Sequence, residues 1–141
     1  MNKVALTGFK DILSETLEIQ GWEIPNPVVD YTVNILANKL DKNPWEPQPS
    51  FAVQYLTLSS VFQAQELGDT CFFARSVFPE YGNRRGISSS YYVDMGQGCY
   101  SYVLRVNQDP AIKQLRDHFE FLSEVVWTAV REFGHFRPLW E

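Results

Sequence analysis

Residues 67–86, LGDTCFFARSVFPEYGNRRG, gather the side chains with the widest chemical repertoire in the chain: Asp69, Cys71, Arg75, Glu80, Arg84 and Arg85, set among four aromatic rings and Pro79. Asp69 and Glu80 make a general acid–base pair if the fold brings them to one pocket, where Arg75, Arg84 or Arg85 would hold an anionic substrate. Such a site needs a cleft and a carboxyl whose pKa is shifted by its surroundings. A plainer reading has Asp69 capping a helix that restarts after Gly68, Glu80 on the turn after Pro79, and Arg84-Arg85 on a solvated loop. Phe72, Phe73 and Phe78 read as core residues rather than as a cofactor box. Nucleophiles and metal ligands are few. Cys71 and Cys99 fall on apolar helical stripes, and a buried thiol without a neighbouring base is inert. His118 and His135 lie outside any HExxH spacing, and no GxSxG, P-loop or dinucleotide fingerprint occurs. The expectation is no catalytic residue, no metal and no cofactor.

Chemistry of contact is better represented. In SSYYVDMGQGCYSYVLRV, residues 89–106, Tyr92, Gly96, Cys99 and Val103 form one helical stripe. Tyr91, Met95, Gly98 and Tyr102 form the next. Two glycines inside a helix cost about 2 kcal/mol relative to alanine, so they imply close approach of another element. Packing against the last helix satisfies that. So does a shallow slot over Gly98, walled by the phenols of Tyr91 and Tyr102, open to a partner or ligand. Trp22, Trp45 and Trp140 fall in connectors or the tail, where a tryptophan serves either as a lid on the core or as an interface anchor. Tyr91, Tyr102, Met95, Gly98, Arg84, Arg85 and Trp45 are therefore the candidate binding residues. Asp69, Glu80 and Arg75 are the alternative polar site.

The elements that must position these residues read as helices. Leu6, Phe9, Ile12, Leu13 and Leu17 give a first amphipathic stripe, closed by Gly21. Asn26-Pro27 opens a second helix with Asn26 as its N-cap. Ser50 caps a third, long pattern through Phe51, Tyr55, Leu58 and Phe62, with a kink or break expected at Gly68-Asp69 and an end at Pro79. Ser88 or Ser89 caps the fourth helix, for which tyrosine richness leaves a strand alternative. Asp109-Pro110 opens the last, running through Phe119 to Phe133 with Lys113–Asp117 and Arg116–Glu120 as i,i+4 pairs. The fold class expected is all-α: a single compact bundle of five or six helices spanning residues 1–141, with 134–141 as a short tail.

Composition bounds the function. The 141 residues carry 45% hydrophobic and 15% aromatic side chains, which suits a packed domain rather than a disordered one. A net charge of −5 and no basic run beyond Arg84-Arg85 disfavour nucleic acid as partner. The first twenty residues read as a helix and not as a leader, and no stretch is long enough to span a bilayer, so a cytoplasmic protein with reduced thiols is expected.

ELGDTCFF, FPE at 78–80, RRG at 84–86 and YYVDMG at 91–96, preceded by YTVNILANKL at 31–40, resemble a group of small bacterial proteins with an LGD…FPE…YYxxMG layout. The likeness covers residues 9 to about 105. It implies a bacterial or phage setting and a largely helical, intracellular protein, and carries over no catalytic role. Here Arg75-Ser76 stand where the group commonly has small apolar residues and glycine, so different helix packing is expected at that point. These readings converge on a non-enzymatic protein-interaction module, an adaptor, regulator or toxin-neutralising partner. Its acidic surface would suit a basic target, with a homodimer as a further expectation. The alternatives are a small-molecule enzyme or sensor built on Asp69 and Glu80, and a structural protein of a phage particle.

Overall fold

The computed structural model describes residues 3–40, 50–79 and 89–133, and within them it contains helices and no strand. The helices are α1 (Lys3–Gln20), α2 (Asn26–Lys39), α3 (Phe51–Leu56), α4 (Val61–Val77), α5 (Ser89–Leu104), α6 (Pro110–Asp117) and α7 (Phe119–Phe133). Helix α4 is the hub, packed against α2, α3, α5 and α7, while α1 closes the bundle against α2 and α7. One apolar cluster runs through the whole bundle. Leu36, Phe72, Phe73, Tyr100, Leu115, Phe119 and Val126 are all fully enclosed within it or nearly so. Each such side chain contributes about 1.5–3 kcal/mol by leaving water.

Local chemistry explains most boundaries. Helix α1 ends at Gly21, whose φ of 70° lies in the left-handed region. Its N–H bonds the Glu18 carbonyl, and the Trp22 N–H reaches back to Leu17 at 3.0 Å. That double bond pattern satisfies the last carbonyls of the helix. Helix α6 begins at Asp109, whose carboxylate accepts the Ala111 N–H, with Pro110 at the first position. Ser50 caps α3 by accepting the Val53 N–H. The fourth sequence pattern is helical, as α5, and not a strand.

Three expectations are corrected. Asn26 does not cap α2: the helix begins one residue earlier, and the Pro25 carbonyl accepts the Val28 and Val29 N–H groups instead. The long third pattern breaks at Thr57–Ser60 and runs through Gly68-Asp69 without interruption. The break is built by Ser60 accepting the Gln63 N–H while Gln63 accepts from the Ser59 backbone and hydroxyl, a variant of the capping box. The last helix is likewise two, α6 and α7, meeting at His118. Arg116 pairs with its neighbour Asp117 at 2.9 Å and not with Glu120, and just past the bend the Phe119 ring lies on Gly96 of α5.

Candidate functional sites

Helices α4 and α5 approach closely at Gly68, where a Cβ would stand 2.9 Å from Cε1 of Tyr100. The glycine therefore lets the Tyr100 ring lie across α4, and one residue further along stands Asp69. Its Oδ1 accepts from Tyr100 Oη at 2.8 Å and from Tyr31 Oη at 3.0 Å, so one oxygen joins α2, α4 and α5. Gln65 donates to the Tyr31 oxygen at 2.8 Å and fixes the direction in which that phenol donates. Lys39 is buried beside them, with its Nζ 2.9 Å from Glu66 Oε2. Tyr100 is fully enclosed, whereas Tyr31, Gln65 and Asp69 keep part of their surface open.

Burial drives the electrostatics of this node. Withdrawal from water pushes the Asp69 carboxyl up from 3.8 to about 6, against the opposing pull of the two phenols and Lys39; Glu66 adds to the rise. The same burial, together with the nearby carboxylate, pushes the phenols of Tyr31 and Tyr100 and the thiol of Cys99 upward. Asp69 is thus a mid-helix acid pushed up to about 6, and not the helix cap that the sequence suggests. Its partners lie far along the chain, and nothing in local spacing announces Tyr31, Gln65 or Tyr100 as members of one group.

Arg75 is not part of this node. Helix α4 carries it round towards α7, where Nη2 lies 3.8 Å from Glu124 Oε1. The residue is 9% exposed, and its Nε is buried without a hydrogen-bond partner. Asp69 and Arg75 are therefore held apart. Trp45, Glu80, Arg84 and Arg85 lie outside the described residues.

The α5 face carrying Tyr91, Met95, Gly98 and Tyr102 exists as the spacing implies, with all four residues partly buried. The slot over Gly98 is filled from within. A Cβ on Gly98 would sit 2.9 Å from Tyr55 Oη and 3.0 Å from Cζ, so the Tyr55 ring of α3 lies in the notch. Beside it, Tyr91 Oη accepts the Ala52 N–H at 2.9 Å, and the Phe51 ring meets Tyr92 edge-on at 5.8 Å. The second glycine, Gly96, packs against the last helix through the Phe119 ring. Trp22 folds back as a lid, edge-on to Phe121 at 5.6 Å.

A further surface escaped the sequence reading. At the corner between α3 and α4, Leu56 is 83% and Phe62 75% exposed, and Val53 is exposed one turn before Leu56. No charged residue occurs between Glu46 and Glu66. That gap in charge, together with Ser60 and Gln63 at capping-box spacing, was the available signal. An apolar crevice lined by Leu13, Leu17, Ile24, Val29 and Leu122 carries no charged group. Among the described residues no group of three or more His, Cys, Asp or Glu is placed to hold a metal ion. No helix described is long and apolar enough to cross a membrane. No protein family, curated protein or solved structure matches the chain.

Proposed function

We propose that this chain is a protein-binding module that acts by contact and not by turnover. The observation that carries the reading is the uncharged corner at Thr57–Ser60, where Leu56 and Phe62 stand in water on either side of the bend. Interface centres are depleted in charge and enriched in aromatic groups, and a pair of large exposed apolar residues in an uncharged segment has that character. The net charge of −5 on the rest of the chain favours a basic partner around such a centre.

A photo-crosslinking residue placed at position 56 or 62 tests this in cells. The expected result is one dominant adduct at both positions, abolished when the neighbouring anchor is changed by Phe62→Ser or Leu56→Ser. Position 4, on α1 and equally exposed, should give no such adduct. Equal, diffuse labelling at all three positions removes the proposal.

A second reading, a small-molecule enzyme or sensor centred on Asp69, has one observation in its favour: an acid titrating near 6 at a partly open position. The turning of Arg75 towards α7 weakens it, because one of the three arginines offered as anion holders faces elsewhere.

A further inference from the structure

We propose that α3 is an exchangeable plug seated in the notch at Gly98, and that a second copy of this chain supplies the α3 that replaces it. The inference goes beyond the exposed corner and rests on other residues: the seat made by Tyr91 and Gly98, and the plug made by Phe51 and Tyr55.

The seat is specific. A Cβ on Gly98 would stand 2.9 Å from the Tyr55 phenol oxygen, so that ring would have to shift, and Tyr91 turns its hydroxyl to the Ala52 N–H of α3. A glycine within a helix is unfavourable by itself, so its presence opposite one ring marks a fitted contact. The plug, by contrast, is loosely held. Helix α3 has six residues and none of them is fully buried. Phe51 and Tyr55 face the bundle, while Val53 and Leu56 face solvent. A helix this short has little stability of its own. On its downstream side the helix ends at Thr57, with φ −107° and ψ 15°. Elements with few enclosed contacts open before the rest of a protein does.

The occupant follows from what the seat demonstrably fits. It accepts an uncharged helical turn with phenylalanine and tyrosine four positions apart, and every copy of this chain carries that turn. Two copies each bearing a net charge of −5 repel one another. The stretch between Glu46 and Glu66, which includes all of α3, is where they can meet without opposing charges of like sign. Exchange of an identical element between protomers needs no new contact chemistry.

Complementing variants test the idea. Gly98→Val blocks the seat and keeps the plug; Tyr55→Ala empties the seat and spoils the plug. Sedimentation velocity should show each variant alone as a monomer and their equimolar mixture as a heterodimer. Hydrogen exchange of residues 51–56 should be faster in Gly98→Val than in the unaltered chain. Circular dichroism of each variant establishes that helicity is kept; if Gly98→Val loses it, Gly98→Ala takes its place, since the β-carbon alone reaches Tyr55. A mixture that stays monomeric up to millimolar concentration, from variants that keep their helicity, overturns the proposal. So does unchanged exchange across α3. Either result leaves the crosslinking test of the Leu56–Phe62 corner untouched.

Discussion

Asp69 carries opposing demands on a single carboxyl. Two phenols and the Lys39 ammonium favour its charged form, enclosure disfavours it, and enclosure wins. With a folded-state pKa near 6 against 3.8 for the free side chain, the native state binds the proton more tightly than the unfolded chain does. The group's contribution to stability is therefore complete below about pH 3.8 and is lost as pH rises through 6. A shift of this size corresponds to about 2–3 kcal/mol, reduced in practice because Asp69 keeps some contact with water. Asp69→Asn retains an oxygen that can accept from both phenols and removes the charge. Urea unfolding of this variant at pH 4.5 and pH 7.5 should give nearly equal midpoints, whereas the unaltered chain should be weaker at the higher pH. An unchanged slope with pH in Asp69→Asn would show that another group is responsible. Asp69→Ala should instead cost about 2–4 kcal/mol at pH 4.5, because Tyr100 is fully enclosed and loses its acceptor, and less at pH 7.5, where the unaltered chain is itself weaker.

At the scale of the elements, glycines separate packing from propensity. Gly96 and Gly8 both lie inside helices, so propensity alone predicts that alanine would stabilise either by about 0.5–1 kcal/mol. Nothing lies near the β-position of Gly8, while that of Gly96 is occupied by the Phe119 ring. Thermal denaturation should accordingly show Gly8→Ala slightly more stable, and Gly96→Ala less stable by about 1–3 kcal/mol. Helices α1, α2 and α5 were legible in the sequence because each buries a stripe: Phe9 and Leu13 in α1, Val28 and Leu36 in α2, Tyr92, Cys99 and Val103 in α5. Where they stop was legible only where a local group does the stopping, as at Gly21, Ser50 and Asp109. The bends at Thr57–Ser60 and His118 were hidden because apolar residues keep helical spacing straight across both. Phe119 continues the stripe in sequence and yet is aimed at Gly96 by tertiary packing. The node at Asp69 was invisible for a related reason: its donors come from α2 and α5, and pairing across helices leaves no trace in the spacing along any one of them.

For the molecule as a whole, the two cysteines report on cooperativity. Cys71 and Cys99 have no exposed surface, are unpaired, and belong to the cluster that joins α1 to α7. Both thiols are pushed upward in pKa by burial, so the reactive thiolate is scarce as well as shielded. Labelling with an aromatic disulfide reagent should be slow at both sites, at a common rate that rises with urea as the global unfolding equilibrium does. Faster labelling of one cysteine would mean that α4 and α5 can part without the rest of the bundle. The plug occupies the other extreme of this hierarchy, since α3 leaves every one of its side chains short of full enclosure. Its outward positions are therefore free to drift in sequence while the remaining helices hold the architecture constant. Lineages descended from one ancestor could thus acquire new binding preferences by editing Val53 and Leu56 alone, with the seat contacts of Phe51 and Tyr55 as the inherited restraint.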